Sequence, residues 1–113
     1  MAAMTTALTD FDSSRNFQSY TYTGNTSAAP KFVLQRRRVP SGNQTILEDT
    51  IQVTASTEDS AGAILPSKVS FHVTVRRPIQ GIPADVTAAL AVFRDIIAGD
   101  EFANTVDTQE WLV

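Results

Sequence analysis

Three consecutive arginines, Arg36, Arg37 and Arg38, form the most concentrated chemical cluster in the sequence. Guanidinium groups match the geometry of phosphate oxygens, which they can hold with paired hydrogen bonds. A basic triplet beside a turn is also a common solvated strand end, so its surroundings decide its meaning. The strand-like runs that follow carry Gln52, Thr54, Ser56, His72, Thr74 and Arg76 at alternate positions. Hydrogen-bonding groups with few acids among them are what a flat RNA-contacting sheet needs. Tyr20 and Tyr22 are stacking candidates where their strand borders the same surface. Catalytic chemistry is harder to assemble. His72 is the single histidine and cysteine is absent, which leaves metal sites and nucleophile relays short of partners. No phosphate-binding glycine loop, HExxH helix or GxSxG elbow occurs. Glu48-Asp49 and Glu58-Asp59 flank turns and read as solvated loop charges. Asp100-Glu101 reads as helix-start chemistry. Asn25-Thr26-Ser27 and Asn43-Gln44-Thr45 match turn or glycosylation patterns, with no secretory signal to support the latter.

The frame for these residues is small. At 113 residues, with 42% apolar and 19% charged side chains, the chain has the composition of one ordinary globular domain. No run approaches the roughly 18 apolar residues of a membrane span. Met1–Asp10 lacks the basic segment and apolar core of a signal peptide. The absence of cysteine fits a reducing compartment. The net charge of −3 and pI near 4.9 argue against nucleic-acid binding when taken whole. The distribution argues otherwise. Residues 1–78 carry eight basic and six acidic groups, a balance of +2; residues 79–113 carry Arg94 alone against six acids, a balance of −5. A basic front and an acidic tail can meet different surroundings.

Periodicity assigns the elements. NFQSYTYT (16–23) is rich in aromatic and β-branched residues and ends at Gly24-Asn25, which predicts a strand and turn. KFVLQRRRV (31–39) is a second strand, closed by the turn residues Pro40-Ser41-Gly42-Asn43. A third covers Thr45–Thr57. In Lys68–Arg77, Val69, Phe71, Val73 and Val75 alternate with Ser70, His72, Thr74 and Arg76, which predicts one buried and one exposed face. After Pro78 the period changes. Val86, Ala89, Leu90, Phe93, Ile96 and Ile97 recur every three or four residues, as on an amphipathic helix. Pro83 suits its first position, Asp85 its positive end and Gly99 its C-cap. Asp100 is expected to cap a shorter helix carrying Phe102, Val106, Trp111 and Leu112.

Strands followed by helices define an α+β fold, one domain over 1–113 with a β-sheet region at 1–78 and a helical region at 79–113. Two helices are thin cover for such a sheet. An oligomer, in which the helices of one chain cover the sheet of another, resolves the mismatch.

In pattern and order, KFVLQRRRV, TIQVTAST, SFHVTVRRP and IPADVTAALAVFRDIIAGDEFANTVDTQEWL resemble the coat proteins of single-stranded RNA bacteriophages. The resemblance covers roughly residues 15–113. It implies an N-terminal hairpin, a five-stranded antiparallel sheet and two C-terminal helices. It also implies an interlocked homodimer with the two sheets joined edge to edge, and dimers assembled into an icosahedral shell in the bacterial host cytoplasm. The inward sheet face would bind genomic RNA, and a phage stem–loop on that face would repress translation and mark the genome for packaging. Carried over by strand phase, the RNA-binding residues are Lys31, Gln35 and Arg37 on the first strand. Gln52 and Thr54 follow on the second, with His72, Thr74 and Arg76 on the last. The dimer interface would take Val86, Leu90, Phe93, Ile97, Phe102 and Trp111. No cofactor, metal, membrane or small-molecule substrate is implied, and no catalysis. A competing expectation is a cellular dimeric RNA-binding regulatory module that forms no shells; a small enzyme using the acid pairs is a third.

Overall fold

The computed structural model describes residues 3–38 and 45–113. The expected turn at Pro40–Asn43 and the Asn43 glycosylation pattern lie outside them. Five strands run in chain order: β1 (Thr9–Ser14), β2 (Phe17–Thr21), β3 (Lys31–Arg38), β4 (Ile46–Ala55) and β5 (Val69–Pro78). Each is antiparallel to the next, so sequence neighbours are sheet neighbours throughout. Two helices follow, α1 (Pro83–Ala98) and α2 (Asp100–Thr108). The N-terminal hairpin is therefore β1 and β2 themselves, two of the five strands rather than an addition to them.

Local chemistry explains the connections. β1 and β2 are joined by the two residues Arg15-Asn16. A register shift between Asp10 and Asp12 leaves Phe11 without a cross-strand partner, which makes it a bulge on an edge strand. Between β2 and β3 the chain turns at Gly24, whose φ of 96° suits a residue without Cβ. Asn25 Oδ1 then accepts from the Lys31 amide at 2.8 Å, and Thr26 Oγ1 from the Ala29 amide at 2.9 Å. Asn25-Thr26-Ser27 thus serves as turn chemistry. In the β4–β5 connection, Asp59 Oδ1 accepts from the amides of Ala61 and Ala63 at 2.9 and 3.0 Å. Asp59 is a turn-former, not merely a solvated charge.

The chain divides into two compact units, Met1–Pro78 and Ile79–Val113. In the second, Pro83 opens α1 and Asp85 lies in its first turn, while Gly99 ends it in extended backbone. The same Gly99 is the N-cap of α2. Asp100 therefore occupies the first helical turn beside Glu101, where both acids face the positive end of the helix dipole, and it makes no side-chain cap. α2 stops at Thr108, with Gln109 in the left-handed region at φ 58°. Thr105 Oγ1 and Thr108 Oγ1 bond back to the carbonyls of Glu101 and Asn104. Trp111 and Leu112 consequently lie beyond the helix on which the sequence pattern placed them.

No apolar side chain among the described residues is buried within the chain. Ser19 and Thr54 are the buried residues among them, at 6% and 4% exposure. No helix among the described residues is long and apolar enough to cross a membrane.

Candidate nucleic-acid interface

The register sorts the strands into two faces, because alternate residues point to opposite sides. On one face, Ser19, Leu34, Gln52 and His72 stand opposite one another from β2 to β5. The row toward one end is Thr21, Phe32, Thr54 and Ser70. Toward the other end come Phe17, Arg36, Thr50 and Thr74, and then Arg38, Glu48 and Arg76. This face is polar at its centre and basic at one end.

Its side chains are tied in short local bonds. Gln52 Nε2 donates to Thr54 Oγ1 at 3.0 Å, and Ser70 Oγ is hydrogen-bonded to His72 Nε2 at 3.2 Å. Glu48 Oε2 lies 3.2 Å from Arg76 Nε. The Arg36 guanidinium lies over the Phe17 ring, 5.5 Å from its centroid. Arg36, Arg38 and Arg76 against Glu48 leave an excess of two positive charges on this face of β3–β5.

The opposite face has a different character. Val33, Ile51, Val53, Phe71, Val73 and Val75 form its centre, and β4 meets β5 there in the apolar pairs Ile51–Val73, Val53–Phe71 and Ala55–Val69. Val53, Ile51, Phe71, Val69 and Val75 are 36–45% exposed in the single chain. Basic residues border this face too, as Lys31, Arg37 and Arg77. Arg37 is committed to the β1–β2 turn: Nη2 donates to the Arg15 carbonyl at 3.0 Å and Nε to Asn16 Oδ1 at 3.4 Å. A shallow polar groove of about 200 Å³ adjoins it, lined by Arg15, Asn16, Phe17, Gln18, Tyr20, Gln35 and Arg37. Tyr20 OH donates to Gln18 Oε1 at its edge.

The expected RNA-binding set is therefore divided. Gln52, Thr54, His72, Thr74 and Arg76 share the polar face. Lys31, Gln35 and Arg37 do not join them; they stand opposite Ala55, Ile51 and Asp49 on the apolar side. The physical reason is register. Arg36 meets Thr50 and Arg37 meets Asp49, and a one-residue difference in pairing exchanges every side chain of a strand between faces. In their place the polar face receives Phe32, Leu34, Arg36 and Arg38. Charge offered a usable signal: Glu48 falls between Arg38 and Arg76, and Asp49 opposite Arg37, so opposite charges pair across the strands. Tyr20, a stacking candidate, lies on the apolar side opposite Val33. Phe17 was not singled out by the sequence pattern. Among the described residues no group of three His, Asp or Glu side chains is arranged to hold a metal ion.

The expected dimer residues occupy the helical unit. Val86, Leu90, Phe93 and Ile97 lie along α1 and Phe102 on α2; Trp111, beyond α2, is 90% exposed.

No protein-family model and no curated protein matches this sequence. Solved structures match the fold. The virus-like particle of Wenzhou levi-like virus 4 aligns with a TM-score of 0.81 at 12% identity, over 96% of this chain and 79% of that chain. The virus-like particle of bacteriophage AC gives 0.69 at 19% identity, over 89% of this chain and 94% of that one. The bacteriophage EMS014 coat protein gives 0.63 at 14%, over 87% and 76%. The fold of this chain is thus similar to those of virus-like-particle and coat proteins with which it shares 12–19% sequence identity.

Proposed function

We propose that this chain is the structural subunit of a levi-like phage capsid, one that dimerises, builds an icosahedral shell and binds genomic single-stranded RNA. The observation that carries the reading is a two-faced sheet in which no apolar side chain among the described residues is buried. A domain of this size normally stabilises itself by burying apolar side chains. Here the apolar sheet face and the stripe Val86, Leu90, Phe93 and Ile97 are both left partly open. A second copy supplies complementary cover, its helices against this sheet and its sheet against these helices. Phe102 and Trp111 extend that interface.

The sheet edge favours the same partner. Among the described residues β5 pairs with β4 alone, leaving the other edge of a ten-residue strand open. Such an edge is a template for strand addition, and an antiparallel pairing with the β5 of a second copy continues the sheet under twofold symmetry. Both joined polar faces then lie on one side.

That side is the RNA face. Arg36, Arg38 and Arg76 neutralise phosphates there, while Gln52, Thr54, His72 and Thr74 reach base edges or 2′-hydroxyls. Recognition of a stem–loop by this surface would couple packaging to translational repression. The role requires positioning and assembly, not catalysis, and places the protein in the virion shell. Expression followed by electron microscopy tests it: shells support the reading, whereas a protein that stays dimeric at high concentration is a regulatory module instead.

A further inference from the structure

We infer that Phe17 and Arg36 form a stacking seat for an unpaired base of single-stranded RNA, at the β2 side of the polar face. The inference rests on the RNA-binding reading above and gives that surface a specific subsite. Phe17 and Arg36 are directly opposite in the β2–β3 pair, and the guanidinium carbon lies 5.5 Å from the ring centroid. The ring is half-buried and the arginine exposed, so the ring holds a planar cation at the surface.

The arginine is also uncommitted to an acid. Glu48, the carboxylate on this face of β4, is 3.2 Å from Arg76, and no carboxylate pairs with Arg36 among the described residues. Its charge is open to a phosphate and its plane to a base. The same row continues with Thr50 and Thr74, two short hydroxyl side chains that leave room above the sheet and can bond a base edge or a ribose. A duplex cannot use such a seat, because its base faces are already stacked on one another. Unpaired loop nucleotides can.

The test uses the full chain and an RNA hairpin carrying 2-aminopurine in place of one unpaired loop adenine. A blunt duplex of equal length serves as the control. Arg36→Lys keeps the charge and removes the plane; Phe17→Leu keeps apolar bulk and removes the ring. Both variants should bind the hairpin roughly tenfold more weakly, within the range of a lost base–aromatic stack. Duplex affinity should be unchanged, and quenching of the 2-aminopurine fluorescence should be lost. Hairpin affinity and quenching at wild-type level in Arg36→Lys would overturn the seat, as would equal losses for hairpin and duplex. Arg36 is exposed, so the lysine variant decides the matter even where Phe17→Leu folds poorly. A wild-type protein that binds neither RNA would overturn the RNA-binding reading itself, an outcome distinct from failure of the seat alone.

Discussion

Arg36 and Arg37 are neighbours in the chain but leave opposite faces of the sheet. Arg36 stands in line with Phe17, Thr50 and Thr74; Arg37 meets Asp49 and clamps the β1–β2 turn. One guanidinium is thereby exposed on the polar face and the other bonds the backbone and side chain of the β1–β2 turn.

This division predicts different consequences for RNA binding. Arg36→Ala and Arg38→Ala should each weaken binding at low salt. Each lost phosphate contact should also shrink the slope of log affinity against log salt by roughly 0.7. Arg37→Ala and Lys31→Ala should leave the slope nearly unchanged. Filter binding over a salt series reads all four. Equal losses across the two pairs would show that the face assignment has no functional meaning.

Arg37 should matter to the hairpin instead. Its bonds to the Arg15 carbonyl and Asn16 Oδ1 are solvent-exposed, so their loss should cost about 1 kcal/mol of local stability. In Arg37→Ala, amide exchange at Asn16–Gln18 should quicken while the amides of β4 remain protected. Uniform quickening across the sheet would assign Arg37 a global role.

How far the sequence reveals these arrangements depends on the element. SFHVTVRR alternates so regularly that β5 and its two faces follow from the order of residues alone. The three-and-four spacing of Val86, Leu90, Phe93 and Ile97 does the same for α1. KFVLQRRR is ambiguous, because Phe32 and Leu34 fall on one side and Val33 on the other. Its facing is decided by pairing with β4, a relation between strands that no single strand encodes. TDFDSS has no apolar alternation at all; β1 exists through its ladder to β2, and every residue in it is exposed. Trp111 has helical spacing, but the threonines of α2 bond their own backbone and the helix ends three residues earlier.

The end of α2 gives a prediction of its own. Gln109 holds a φ of 58°, a conformation that costs a residue with Cβ about 1–2 kcal/mol. Gln109→Gly should raise the thermal midpoint, with a gain of about 1 kcal/mol after allowing for glycine's greater unfolded entropy. Gln109→Val should lower it. Thermal denaturation of the purified protein distinguishes the two directions, and a loss of stability with glycine would contradict the assignment.

For the proposed dimer, Phe93 is the informative position. It is 42% exposed in one chain, and cover by a second copy would bury it. Phe93→Ala should then remove about 3–5 kcal/mol, as truncation of a buried aromatic does. Soluble dimer and particles should disappear together. Wild-type yields of both would remove Phe93 from the interface.

The capsid role is tested most directly by size-exclusion chromatography of the purified protein, with and without nuclease, followed by electron microscopy of the excluded fraction. A capsid subunit should give closed, uniform shells whose internal RNA survives nuclease treatment. A protein that elutes only as a dimer under both conditions, with no particles on the grid, would contradict that role.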